Sequence, residues 1–122
     1  MPTGQQNDNG FKTFTAGAAL EQFRCVKLDT TANQVVYSGA GEVTIGVTQD
    51  RAASGDPVCV KLITAPGTFV ISCASTVAAI GTALYTAANG QVDDAASGTA
   101  KFHNMEVVAS ANGQIECARY LV

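Results

Sequence analysis

The chain repeats itself. Residues 43–63 and 101–121 share a layout at a shift of about 58 with no gap, so that Gly55 falls on Gly113, Cys59 on Cys117, Lys61 on Arg119 and Ile63 on Leu121. A shorter echo precedes each copy, Ala32-Asn33-Gln34-Val35 against Ala88-Asn89-Gly90-Gln91-Val92. A chain of 122 residues fits one domain with one core. The expectation is two related β-rich halves, with pseudo-repeats about 20–63 and 77–121, in a single domain over 11–122.

Strand-like runs are short and regularly punctuated. Cys25–Leu28, Gln34–Tyr37, Glu42–Thr48, Val58–Ile63, Thr68–Cys73, Ala83–Ala87, Met105–Ala109 and Ile115–Val122 read as strands. Pro57 can open a strand but not sit inside one. Pro66-Gly67, Asn89-Gly90 and Asn112-Gly113 are turn signals. Residues 15–24 are ambiguous between strand and a short helix capped by Thr15, and 74–80 could hold one helical turn. Twelve glycines, 7% aromatics and no Trp agree with short strands and tight turns. Eight or nine such strands predict an all-β domain with little helix, a barrel, tulip or sandwich. A closed arrangement hides its edges, whereas an open edge invites strand addition.

Residues 1–10 are polar and turn-prone, and alone cannot bury enough apolar surface to order. They read either as a frayed terminus or as a flexible arm that orders on a neighbour, with Phe11 and Phe14 as first anchors. Candidate partner contacts are therefore Thr3, Gln5, Gln6, Phe11 and Phe14, joined by Lys61 and Arg119 at echoed positions. The plainer reading of Lys61 and Arg119 is outward strand residues that keep the surface soluble.

Catalytic equipment is missing from the sequence. The one histidine, His103, has no third group placed to orient it as a base, and no G-x-S-x-G occurs. Among the acids only Asp93 and Asp94 adjoin, without the spaced oxygens of a calcium loop. Gly39-Ala40-Gly41 lacks the pattern of a phosphate cradle. Cys25, Cys59, Cys73 and Cys117 form no C-x-x-C, which argues against zinc. With no apolar signal segment in Met1–Gly10, buried free thiols are expected over disulfides. No catalytic residue, cofactor or metal is assigned. A net charge of −3, a pI near 4.8 and scattered basic residues argue against nucleic acid. The uncharged stretch 62–92 is broken by Pro66, Gly67, Gly81, Asn89 and Gly90, so it predicts interior strands rather than a membrane span. Charged residues make up only 14% of the chain, which suits faces that meet other protein.

The order of the low-information motifs resembles the small bacteriophage capsid decoration, or cement, proteins. The run Phe14–Leu20 leads to Phe23-Arg24-Cys25-Val26-Lys27-Leu28. Ile45-Gly46-Val47-Thr48 precedes Ala52-Ala53-Ser54-Gly55-Asp56-Pro57-Val58-Cys59-Val60. Ile80-Gly81-Thr82-Ala83-Leu84-Tyr85 precedes Asn89-Gly90-Gln91-Val92, and Glu106–Cys117 closes the series. His103-Asn104-Met105-Glu106 departs from the Ile-Gly-Val-Ala type of entry expected there. The resemblance covers about residues 11–122. It implies a β-tulip or barrel that is made in the bacterial cytoplasm and binds the outer surface of the mature head. It implies the major capsid protein as partner, homotrimers at threefold and quasi-threefold sites, and no enzymatic activity. The alternatives are a tail or head-completion component, and a ligand- or glycan-binding β-module, for which Tyr37, Tyr85 and Tyr120 are few stacking residues.

Overall fold

A computed structural model describes residues 10–108 and 110–120. It contains ten strands: β1 (Phe11–Ala16), β2 (Cys25–Leu28), β3 (Gln34–Tyr37), β4 (Gly46–Thr48), β5 (Pro57–Leu62), β6 (Phe69–Ser72), β7 (Ala83–Thr86), β8 (Val92–Asp93), β9 (Phe102–Asn104) and β10 (Gln114–Arg119). A 3₁₀ turn over Ala88–Gly90 is the one helical element among the described residues. The all-β expectation holds.

The first lobe is a closed barrel in the order β1-β3-β2-β4-β5, with β5 returning to β1. Alternation builds it. Val58 and Val60 point inward from β5 while Cys59 and Lys61 point out. Pro57 opens β5, where it pairs with Thr15. Phe14, Ala16, Leu20, Val26, Val35, Val58 and Val60 fill the interior.

The second lobe repeats the strand neighbours of this plan as a curled five-stranded sheet, in the order β6-β10-β9-β7-β8, whose ends meet only at an isolated bridge. Phe14 pairs with Val58 in the first lobe and Ile71 with Ile115 in the second. The parallel pair Ala16–Val35 recurs as the parallel bridge Cys73–Val92, and the bridge Leu20–Ala52 as Val77–Val108. Each of the seven interior residues of the first barrel has a buried counterpart: Ile71, Cys73, Val77, Leu84, Val92, Ile115 and Cys117 in turn. The repeat therefore begins at β1 and β6, earlier than the sequence echo suggests.

The echo is also out of phase by one residue in the last strand. Val58 matches Ile115 and Val60 matches Cys117, so Cys59 falls on Glu116 and Lys61 on Ala118. A one-residue slip in a strand exchanges its faces. Cys59 is accordingly half-exposed and Cys117 buried, and Lys61 and Arg119 are not equivalent. The ungapped shift holds for β2 against β7, because the loop before β7 carries one extra residue: Val77 to Ala83 spans one step more than Leu20 to Cys25.

The two barrels differ at one seam. In the first, Thr15 N–H donates to Asn33 C=O (2.8 Å) and closes β1 on β3. In the second, the equivalent Ser72 N–H turns outward and donates to Phe23 C=O of the first lobe (2.9 Å). Gln91 plugs the opening, its Nε2 donating to Ser72 Oγ (2.9 Å) and Asn112 Oδ1 (2.8 Å). The first lobe also lends two residues to the second lobe's core, which is separate from its own. Cys25 and Val47, a cross-strand pair of the first barrel, lie in the same cluster as Phe69 and Phe102, whose rings meet edge to face at 5.5 Å. Arg24 Nη1 donates to Asn89 C=O (3.0 Å), and Gly90 N–H donates to Ser38 C=O (3.0 Å).

Three local expectations change. Residues 15–24 are not helical: β1 runs to Ala16 and the loop is pinned at Leu20. The strand expected over Glu42–Thr48 shrinks to Gly46–Thr48, because Glu42 accepts from Gly39 N–H (2.6 Å) and from Lys27 Nζ (2.7 Å) and holds a turn. The strand expected over Met105–Ala109 lies earlier, at Phe102–Asn104. Asn104 Nδ2 donates to Glu106 C=O (2.8 Å), and Glu106 Oε1 takes the Glu116 N–H (3.0 Å) in place of a main-chain carbonyl, which ends the ladder after Met105.

Gly90 and Gly55 both have positive φ, +72° and +89°, but only Gly90 is hemmed in: an added Cβ would lie 2.5 Å from Cys25 O and 2.8 Å from Tyr37 Cδ1. Gly55→Ala should lose about 1 kcal/mol, the left-handed penalty alone. Gly90→Ala should lose about 3 kcal/mol, since overpacking against backbone adds to it. Urea unfolding of the two variants checks the contrast, and equal losses would refute the proposed tightness of the seam.

Candidate interaction surface

The expected contact residues separate into two groups. Phe11, Lys61 and Arg119 gather around the linker 63–68 between the lobes. Phe11 and Lys61 are register partners on β1 and β5. Lys61 Nζ lies 4.7 Å from the Phe69 ring centroid and 5.8 Å from that of Phe11, and donates to Thr68 C=O. Thr68 Oγ1 in turn donates to Glu116. Arg119 Nη1 donates to Ile63 C=O (3.3 Å). The chain enters this place at Gly10, where a side chain would strike Ala65 Cβ at 2.5 Å. Both cations are thus engaged in fastening the linker. Phe14, by contrast, is buried in the first barrel, only 6% exposed. Thr3, Gln5 and Gln6 lie outside the described residues.

The ionisable groups form no reactive constellation among the described residues. His103 packs on Tyr120, ring centroids 4.3 Å apart. Asp93 accepts from Ala95 N–H (3.2 Å) as a turn residue. No group of three or more His, Cys, Asp or Glu side chains is placed to hold a metal ion among the described residues. No helix there is long and apolar enough to cross a membrane. The four cysteines are free thiols, as expected, and three of them are buried.

The loop ends of the two barrels form equivalent rims with different surfaces. Phe23 N–H donates to Thr48 C=O in the first and Gly81 N–H to Asn104 C=O in the second. Gln49 N–H donates to Cys59 C=O, and Met105 N–H to Glu116 C=O. Thr48 Oγ1 donates to Glu21 C=O, and Asn104 Nδ2 to Ala79 C=O. This framework sets Glu21, Gln22, Gln49 and Arg51 opposite Ala79, Ile80, Met105 and Val107. In the first lobe Arg51 Nη2 meets Glu21 Oε2 at 3.3 Å, and Gln22 Nε2 donates to Gln49 C=O (3.0 Å). In the second, Ile80, Met105 and Val107 stand 71%, 48% and 54% exposed. The sequence could have revealed this rim only with the repeat in its correct phase, because each apolar residue taken alone is ordinary surface.

No family model matches the chain, and no curated protein matches it. Among solved structures, the fold is similar to that of the N base of head fiber gp8.5 of bacteriophage phi29, with a TM-score of 0.77 at 13% identity. The match covers 90% of this chain and 92% of that one. At this identity the likeness is one of fold.

Burial pushes the Cys25 thiol up to about 12 and the Cys73 thiol up to about 11 from an ordinary 9.0, the latter with help from Asp93 and Asp94. Cys117 is raised as well, by burial and then by its thiol neighbours. Above pH 9 the unfolded chain loses these protons while the folded chain keeps them, so the folded state binds more protons and stability falls. Each buried thiol removes ~1.4 kcal/mol per pH unit between pH 9 and its folded value. Denaturation followed from pH 8 to 11 should show the decline starting near 9. Cys73→Ala, less stable at pH 8, should decline more shallowly, and a parallel decline would contradict the assignment. Native protein should titrate one thiol, Cys59, with an aromatic disulfide reagent at pH 8.

Proposed function

We propose that the chain is a non-enzymatic structural component of a phage virion that binds the outer surface of the mature head and stabilises its lattice. The observation that carries this reading is the fold shared, over nearly the full length of both chains, with a protein whose solved structure is described as the base of a phage head fiber. Two further observations support it. No group of three or more His, Cys, Asp or Glu side chains is placed to hold a metal ion among the described residues, and only 14% of the chain is charged. The partner in this reading is the major capsid protein, and the assembly is a homotrimer at threefold and quasi-threefold positions, a closed cyclic arrangement with heterologous contacts. Selective binding to the expanded lattice would stabilise that state by mass action, and many copies would multiply the effect.

Co-sedimentation with undecorated, expanded heads of its own phage, with unexpanded proheads as control, tests this. Saturable binding to expanded heads alone is expected, and sedimentation velocity of the free protein reports the trimer. Binding to neither particle, or growth of the free protein into rings or tubes, would instead support the tail or head-completion alternative.

A further inference from the structure

The fold does not require an apolar rim on the second lobe. At four equivalent positions the first lobe carries Glu21, Gln22, Gln49 and Arg51 on the same backbone framework. The second carries Ala79, Ile80, Met105 and Val107, and three of these are large side chains left open to solvent. Packing is satisfied by polar residues in one copy of the unit, so packing does not explain the apolar ones in the other.

The first lobe shows what this surface can hold. Its rim residue Phe23, at φ +61°, offers its carbonyl to Ser72 N–H on the outer edge of β6, a strand reading Phe69-Val70-Ile71-Ser72. The rim thus caps an open, apolar sheet edge. The equivalent residue of the second lobe is Gly81, at φ +76°, with its N–H bonded in the same way and nothing within 4 Å of where a Cβ would stand. The same device is present there, with its carbonyl in an exposed turn beside the apolar rim.

We infer that the Ile80–Gly81 turn, with Met105 and Val107, is a docking site for the open edge of a β-sheet in a partner protein. Among the described residues, the first barrel of a second copy does not present the matching surface. The position in its first barrel that corresponds to Ser72 is Thr15, whose N–H is consumed by Asn33 in closing the barrel. Three exposed side chains also fall well short of the ~800 Å² per partner that holds a stable pair together. The site suits a partner that is met many times on one surface, where linked weak contacts add up. The choice of the head shell as that partner rests on the proposed function; the edge-binding chemistry does not.

The test grafts the first lobe's ion pair onto the second, as Ala79→Glu with Val107→Arg, a combination the shared framework already accommodates in the other lobe. The expected result is unchanged thermal stability with at least tenfold weaker binding to expanded heads. The control, Glu21→Ala with Arg51→Val, should bind as the parent does. Unchanged head binding by the grafted variant would overturn the site. If the parent protein itself ignores heads, the head-surface function fails and the rim is judged separately. A cyclic β-hairpin peptide presenting residues 69–72 is then titrated into labelled protein. Amide shifts at Ile80, Gly81, Met105 and Val107 that vanish in the grafted variant support edge docking, and shifts elsewhere or none overturn it. Concentration-dependent self-association abolished by the graft would overturn the exclusion of a second copy.

Discussion

One backbone hydrogen bond decides the architecture. A strand unit that closes on itself satisfies its own edges and has no need of a neighbour. The first lobe does this through Thr15 N–H and Asn33 C=O. In the second, the equivalent donor, Ser72 N–H, leaves its barrel for Phe23 C=O. The barrel is then held at that seam by a single parallel bridge and needs a plug, which Gln91 supplies with both a side-chain and a main-chain neighbour as acceptors. A buried amide is tolerable only when its donors are used, and here Nε2 finds Ser72, Cys73 and Asn112. Because the seam admits the first lobe, Cys25 and Val47 become interior residues of the second and enlarge its core, while the first barrel keeps a separate core of its own.

The duplicated unit keeps its framework and changes its surfaces. Each interior residue of the first barrel has a buried counterpart in the second lobe, and the capping bonds made by Thr48 and Asn104 correspond, although hydroxyl and amide differ in chemistry. What varies is what the fold leaves unconstrained: a charged rim in one lobe, an apolar rim in the other, and a lysine on β5 where β10 has alanine. Lys61 shows how such a difference becomes structural. Its ammonium reaches the Phe69 ring and the Thr68 carbonyl, binding the first lobe to the linker, while Ala118 in the second leaves room beside the same linker for Arg119. Cation and ring partly shielded from water attract more strongly than an exposed pair.

Much of the fold was legible in the residues. Alternation in 58–63, the apolar run 68–73, the opening role of Pro57 and the Asn-Gly turns reported local backbone preferences, and local preferences survive folding unless a tertiary contact overrides them. The errors arose where tertiary contacts did override. Glu42 continues an alternating pattern but is captured by Lys27 and Gly39, and the run from Met105 is cut short where the Glu106 side chain replaces a main-chain acceptor for β10. The largest error was one of phase. The echo aligned Cys59 with Cys117 on residue identity, while side-chain direction aligns Cys59 with Glu116. Identity cannot report direction when both residues suit a strand, and the inserted residue before β7 is invisible unless the bridges Leu20–Ala52 and Val77–Val108 are known. Of the expected contact residues, Phe14 was drawn inward because β1 is a full barrel strand that turns this side chain into the core.

A larger slip, two residues in the loop after β4, hid the surface of greatest interest. Exposed Ile, Met and Val residues are individually unremarked on any protein, and their meaning depends on a comparison that the molecule itself provides. Two copies of one unit, folded on the same bonds, act as each other's control. Where both copies are apolar, the core demands it. Where one is polar and the other apolar at an exposed position, the core is indifferent and another requirement must be acting. By that comparison the rim of the second lobe, where Ile80, Met105 and Val107 stand in place of Gln22, Gln49 and Arg51, is a surface that the shared framework does not explain.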